Sequence, residues 1–256
     1  MPAIGTDDHA IAARLATAAG DMLVDLRARL TGDGVAGEAL GAEGDRAAHE
    51  LLMRRLGELR PDDAVLSEEG VQDSARLAAE RVWIVDPLDG TREFREVPRT
   101  DWAVHVALVA DGDPVAGAVA LPARGLTLAT ATPPSPPTAW TGPVRVVVSR
   151  SRPPAEATQI AEALGGELVT LGSAGAKAMA VVLGEAEVYA HSGGQHEWDS
   201  AAPVAVARAA GLHASRLDGT PLVYNRPDPY LPDLLICRPE LAERVISAAA
   251  TADGIG

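Results

Sequence analysis

The sequence predicts a mixed α/β fold in two subdomains, and three observations carry that expectation. Two amphipathic helical patterns precede a run of short strands in the first half, a proline cluster interrupts the middle, and strand and helix patterns alternate after it. Residues 1–132 then form an α+β unit with an antiparallel sheet, 133–143 a linker, and 144–256 an α/β unit. With 256 residues, 47% of them hydrophobic, the chain can bury a large core.

Residues 7–30 read as one long helix. Ile11, Leu15, Met22, Leu26 and Leu30 recur at four- and seven-residue steps, and Asp7 and Asp8 suit the positive end of the helix dipole. Residues 31–44 are rich in glycine and small side chains, carry Asp33, Glu38 and Glu43, and show no period; they read as a loop or weak hairpin and a candidate mobile lid. A second helix follows over 45–60, with Leu51, Leu52, Leu56 and Leu59 as its buried stripe and Pro61 as its stop. Residues 64–67 form a short strand delivering Glu68 and Glu69, and 74–80 a short helix before a central apolar strand at 82–85. Further strands at 102–109, 114–121 and 126–130 complete an antiparallel meander.

Prolines 133, 134, 136, 137 and 143 then break regular structure and read as a semi-rigid linker. Beyond them come a strand at 144–148 ending in Ser149-Arg150-Ser151-Arg152, a helix at 155–164 and a strand at 168–171. A small-residue turn at 172–175 opens a helix through Leu183. A strand at 187–191, a loop at 192–197 and a helix from Trp198 to Gly211 follow. Cys237, the one cysteine, lies in the apolar run 234–237 and reads as a buried small hydrophobe; its solitude rules out an internal disulfide framework and fits a reducing cytoplasm.

Composition excludes several classes. The net charge of −14, from 22 basic and 36 acidic residues, repels nucleic acid polymers and anionic membranes. No apolar run has the length of a membrane span, and the N-terminus lacks the pattern of a signal peptide. The six histidines show no close ligand spacing, which argues against zinc. These features point to a cytoplasmic protein acting on a small molecule.

The segment Asp86-Pro87-Leu88-Asp89-Gly90-Thr91 runs straight out of the central strand. Pro87 removes a backbone donor and is expected to end the ladder. Asp86, Asp89 and the Leu88 carbonyl then present three oxygens on a corner, the donor set a hard cation such as Mg2+ takes. Gly90 permits a tight turn, and the Gly90 and Thr91 amides can face an anion. A tight turn with solvated aspartates is the competing reading of this motif alone.

Glu68, Asp86-Pro87-Leu88-Asp89-Gly90-Thr91 and the distant pair Trp198-Asp199 together resemble the inositol monophosphatase family. That resemblance implies a layered α-β-α-β-α fold and a Mg2+-dependent, lithium-sensitive phosphatase with two or three ions per site. It implies Glu68, Asp86, the Leu88 carbonyl, Asp89 and Asp199 as metal ligands, with Glu69 outside the set. Thr91 would orient or deprotonate the attacking water, assisted by Glu68, and phosphate oxygens would meet the Gly90 and Thr91 amides. Asp45 falls where the family has an aspartate that pairs with the threonine. Here it follows Gly41-Ala42-Glu43-Gly44 rather than the usual Thr-x-Ala, and a plain helix N-cap fits its position equally. Members are often homodimers.

Within the family, the segment from Gly172 to Met179, the turn at Ser149 and Arg150, and Gly90-Thr91-Arg92-Glu93-Phe94 resemble the branch acting on adenosine 3',5'-bisphosphate (PAP). That resemblance implies removal of the 3'-phosphate to give AMP, in sulfate assimilation. Ser173 and Lys177 would hold the second phosphate, with His191 standing where many such enzymes have arginine; Asp199 would face the substrate as well as the metal. Tyr224, Asn225 and the glycines at 193 and 194 could meet a base or sugar. The alternatives are inositol monophosphate or fructose 1,6-bisphosphate as substrate, and a non-catalytic regulator that binds metal or nucleotide.

Overall fold

The computed structural model describes residues 6–71, 73–135, 140–151 and 153–253. Arg152 and the centre of the proline segment, 136–139, lie outside them. Two helices open the chain, α1 (Thr6–Gly32) and α2 (Gly37–Leu59). A five-stranded sheet follows in the order β1 (Ala64–Ser67), β2 (Arg81–Asp89), β3 (Ala103–Ala110), β4 (Asp113–Leu121) and β5 (Leu126–Ala129), with the short helix α3 (Thr91–Arg95) after β2. Strands β1 and β2 run parallel and the rest antiparallel.

The second half supplies β6 (Arg145–Ser149), α4 (Ala155–Leu164), β7 (Glu167–Leu171), α5 (Ala174–Val182), β8 (Val188–His196), α6 (Glu197–Ala209), β9 (His213–Ser215), β10 (Tyr230–Cys237) and α7 (Ala242–Asp253). Its sheet has the order β7-β6-β8-β10-β9.

Side-chain alternation explains the layering. Along β2, Trp83 and Val85 pack with α1 and α2, while Val82 and Ile84 join the cluster that contains α5 and α6. In the second sheet Val147, Tyr189 and Ile236 face the same central cluster, and Val146, Val188 and Leu235 face α4 and α7. Both sheets are covered on both faces, so their strands read as continuous apolar runs rather than clean alternations. Helix α5 is buried along its whole length and α6 along most of it, as helices held between two sheets must be. Gly117 on β4 lets α6 approach: a Cβ there would stand 2.8 Å from the Ala205 Cβ. The order is α-β-α-β-α. Among the described residues no helix is long and apolar enough to cross a membrane.

Several expectations need correcting. Residues 37–44 are helical, not a lid, and α2 begins eight residues before Asp45. Two of its four glycines serve packing: a Cβ on Gly41 would meet Thr91 Cγ2 at 2.8 Å, and one on Gly44 would meet Leu88 and Phe94 at the same distance. Tertiary contact overrides the poor helix propensity of glycine here. Asp45 is therefore mid-helix and not an N-cap. Pro87 does not end β2; the strand runs on to Asp89 through a register irregularity between Asp86 and Asp89, the kind of place where a strand tolerates proline. The stretch 74–80 is a 3-10 turn, Ser74–Ala78. Residues 192–196 belong to β8, where a bulge opposite Leu231 and Asp233 absorbs Gly193 and Gly194.

Candidate active site

The predicted corner is built by the end of β2 and the start of α6, from opposite halves of the chain. Asp86, Asp89 and Asp199 each bring one carboxylate oxygen to within 4.8 Å of the others. Asp86 and Asp89 are buried. Glu68, at the exit of β1, exposes part of its surface in the cavity, while its carboxylate is enclosed beside Asp86 and lies in the field of Asp199.

Burial and mutual repulsion raise the proton affinity of this group. Burial, then Glu68, Asp89 and Asp199, push Asp86 well above the usual carboxylate range. Burial and then Asp199 raise Glu68 to about 7. Burial and then Asp89 raise Asp199.

Asp89 is the exception. Burial opposes its charge, but His105, the Ser173 hydroxyl and Lys177 outweigh that and hold it below its ordinary value. Its carboxylate accepts from Ser173 Oγ, from the Ala174 amide at 3.0 Å and from the Gly175 amide at 2.6 Å, so it sits on the N-terminus of α5. On its other side the fully buried His105 of β3 faces Asp89 Oδ2 through Nε2 at 3.2 Å and donates from Nδ1 to the Trp198 carbonyl at 2.9 Å. Burial disfavours charge on His105, yet Asp89 raises its pKa.

Thr91 stands beside this group. Its Oγ1 lies 3.0 Å from Asp45 Oδ1 and 3.2 Å from the Leu88 carbonyl. Asp45 is raised to about 6 by burial, partly offset by the Thr91 hydrogen bond. A cavity of about 570 Å³ opens over the group, lined among others by Glu68, Asp89, Thr91, Arg92, Lys177 and Asp199.

The donor set fits a divalent cation. Carboxylates crowded this closely retain protons until a cation displaces them, and all the donors are oxygens.

A sequence profile of the inositol monophosphatase family matches residues 7–253. The chain belongs to the inositol monophosphatase family. Among curated members, the 3'-phosphoadenosine 5'-phosphate phosphatase of Mycobacterium bovis is 53% identical over 242 residues, 91% of this chain and 90% of that protein. The 3'(2'),5'-bisphosphate nucleotidase CysQ of Escherichia coli is 35% identical over 203 residues, 73% of this chain and 80% of the other. Among solved members, the CysQ of Bacteroides thetaiotaomicron superposes with a TM-score of 0.79 at 28% identity, covering 91% of this chain and 97% of that one. An inositol monophosphatase from Staphylococcus aureus shares the fold at 21% identity with a TM-score of 0.75, covering 93% of this chain and 91% of its own.

Placed in this family frame, the expected residues divide. Glu68, Asp86, Leu88, Asp89, Thr91, Asp45 and Asp199 come together. Gly90, Ser149, Ser173, Lys177 and His191 line the cavity together with Glu68, Asp89, Thr91 and Asp199. Lys177 is buried, donates from Nζ to the Ser173 carbonyl at 2.7 Å, and has its pKa lowered by burial against the pull of Asp89 and Asp199.

Four residues expected to meet substrate have competing contacts. The Ser173 hydroxyl donates to Asp89 and accepts from the Ala176 amide, so α5 already holds an anion belonging to the protein. Arg150 bonds Glu93 at 2.8 Å and Glu96 at 2.9 Å and does not line the cavity. Tyr224 is buried against Ser200, and Asn225 joins a network behind the site, so neither meets a ligand there.

That network was not foreseen. The Glu197 carboxylate, fully buried beside Trp198, accepts from the Asn225 amide at 2.7 Å and the Arg226 amide at 2.8 Å. Arg76, also buried, reaches across from the segment after β1 to Asn225 Oδ1 at 2.6 Å and the Arg226 carbonyl at 2.8 Å. The clamp joins the stretch carrying Glu68 to the helix start carrying Asp199. Arg92, the exposed cation on the cavity wall, was also passed over; its signal was the Thr-Arg-Glu-Phe sequence itself.

Proposed function

We propose that this chain is a Mg2+-dependent phosphomonoesterase that removes the 3'-phosphate of PAP, giving AMP and inorganic phosphate. The observation that carries the chemistry is the oxygen cluster from two halves of the chain, with the Thr91–Asp45 pair beside it, under one cavity. The substrate is supported by 53% identity, over nine-tenths of the chain, to a protein named for that reaction. A role in sulfate assimilation follows, because PAP is a by-product of that route.

Glu68, Asp86, the Leu88 carbonyl, Asp89 and Asp199 would hold two Mg2+ ions, with Asp45 near any third. Bound there, such ions activate water and stabilise the leaving alkoxide. Asp45 accepts the Thr91 hydroxyl hydrogen, which leaves the Thr91 oxygen lone pairs directed at the attacking water. Held near 6, the Asp45 carboxylate is matched to receive a proton at neutral pH. The water oxygen forms its bond to phosphorus as the bond from phosphorus to the ribose 3'-oxygen breaks, through a loose transition state that needs positioning and charge more than covalent help. The Gly90 and Thr91 amides take phosphate oxygens. Arg92 and Lys177, with Ser149 and His191 nearby, give the second phosphate its positive surroundings in an otherwise acidic protein.

Phosphate release from PAP, inositol 1-phosphate and fructose 1,6-bisphosphate, with Mg2+ and with or without Li+, tests this. The expected result is the highest kcat/KM on PAP and inhibition by Li+. A preference of roughly a hundredfold for either sugar phosphate overturns the substrate. Mg2+ binding without release from any of the esters overturns the enzyme.

A further inference from the structure

The two halves of the acidic cluster are joined by a side chain that does not line the cavity. His105 lies on β3 and is fully buried. Across the ladder it pairs with Asp86, and two residues earlier on the same strand Ala103 pairs with Asp89. Between these pairs β2 advances by three residues and β3 by two. In a regular strand a spacing of three would put Asp86 and Asp89 on opposite faces. The extra residue returns Asp89 to the face shared by Asp86, Ala103 and His105, which packs on α5 and α6.

There the imidazole spans the seam. Nε2 lies 3.2 Å from Asp89 Oδ2, and Nδ1 lies 2.9 Å from the carbonyl oxygen of Trp198, the residue before Asp199. Both ring nitrogens are thus turned toward oxygens, one from β2 and one from the first turn of α6. The fit is close: a Cβ on Gly175 would lie 2.1 Å from Nε2, so the ring fills space that only glycine leaves open. Gly175 in turn donates its amide to the same Asp89 oxygen at 2.6 Å. An apolar side chain would fill this volume between the sheets without the cost of burying a polar ring. What the ring adds is a link between the two segments that carry the carboxylates.

We propose that His105 is a positioning residue for the cation site: it ties Asp89 to the start of α6, and so sets how far Asp199 stands from Asp86 and Asp89 before any ion binds. The proposal rests on the reading of the acidic cluster as a cation site, and it adds a residue that supplies no oxygen to that cluster. Side chains that orient metal-binding groups from behind typically change metal affinity by about 10- to 100-fold when replaced. A purely structural role would instead lower the metal-free Tm and leave the metal affinity of the folded protein unchanged.

The test titrates the metal-free full chain with Mn2+ by calorimetry, since Mn2+ takes the same oxygen donors as Mg2+. Three variants separate the contacts. In His105→Asn the amide nitrogen falls near the Nδ1 position and keeps the Trp198 carbonyl; in His105→Gln it falls near Nε2 and keeps Asp89. His105→Leu keeps neither. Mn2+ affinity should fall roughly 10- to 100-fold in the leucine variant, and by less, but at least about threefold, in each amide variant. In phosphate assays, kcat at saturating Mg2+ should fall less than the Mg2+ requirement rises. For a variant too unstable for calorimetry, the Tm rise at a fixed Mn2+ concentration shrinks as affinity falls and gives the same comparison. An affinity within about twofold of wild type in His105→Leu overturns the proposal, as does full recovery by either amide variant alone, because a tie needs both ends. A gain in affinity overturns it too, since the ring would then act as a charge competing with the ion. Wild-type protein that binds no Mn2+ removes the cation-site reading and the proposal together. Mn2+ binding without phosphate release removes the enzyme reading alone, and the same titrations still decide His105.

Discussion

Replacing Arg76 by alanine probes how the two halves of the site are held in register. The guanidinium is 3% exposed and makes charge-assisted bonds of 2.6 and 2.8 Å to Asn225 and Arg226, which in turn hold the buried Glu197 carboxylate. Bonds of this kind each contribute about 1.5–3 kcal/mol. Some relaxation and water entry will offset the loss, so we expect a net cost of about 3 kcal/mol. For a chain of this size that lowers Tm by roughly 6–12 °C. Arg76 touches no substrate, so any functional loss travels through Asp199, one helical residue pair beyond Glu197. The Mg2+ concentration for half-maximal activity, and for half-maximal Tm increase, should rise several-fold, with kcat at saturating Mg2+ less affected. Arg76→Lys, able to keep one of the two contacts, should fall between. Thermal melts and Mg2+ titrations read both effects. An alanine variant that melts within about 2 °C of wild type, with an unchanged Mg2+ requirement, would refute the clamp.

Two other outcomes follow from the geometry. Asp89→Asn should abolish turnover and should also weaken the fold by about 1.5–3 kcal/mol, because the carboxylate is bonded to Ser173, two amides of α5 and His105; urea unfolding beside a phosphate assay checks both parts. The metal-free protein should lose stability as pH rises from about 5 to about 8. Glu68, Asp45, Asp86 and Asp199 all take up protons more readily in the fold than as free carboxyls, so the native state binds more protons than the unfolded chain and stability falls as they ionise, through about 6 for Asp45 and about 7 for Glu68. His105, also raised, acts in the same direction, while the lowered Asp89 has its effect at more acid pH. Mg2+ should flatten the profile, and a metal-free Tm that climbs over this interval would contradict the charge assignment.

Much of the fold was legible because its signals are local. The strand at 64–67 and the helix at 155–164 match their expected bounds, set by flanking Pro and Gly and by apolar spacing. Glu68 and Asp89 were legible for the same reason, each sitting where a strand ends, and Asp86 because it shares a short motif with Asp89. What escaped depends on distant partners. His105 looks like an ordinary strand residue until Trp198, 93 positions away, and Asp89 close around it. Arg76 and Glu197 have meaning through Asn225, 149 and 28 positions from them. Gly41 and Gly44 of α2 read as loop because propensity cannot register Thr91 and Phe94 pressing against the helix. Ser173 invited a phosphate role because a hydroxyl at a helix start suits any anion, and the anion it holds is Asp89.

The seat of Asp89 on α5 has a consequence for how the molecule comes apart. A residue from the first sheet is anchored by a helix contributed after the proline segment, so the centre exists only at the seam. Expressing either half alone would strip Asp89 of its amide donors and part the acids of β2 from Asp199 of α6. Any opening wide enough to part the sheets must dismantle the acidic cluster, and a ligand has to enter through the mouth of the cavity instead.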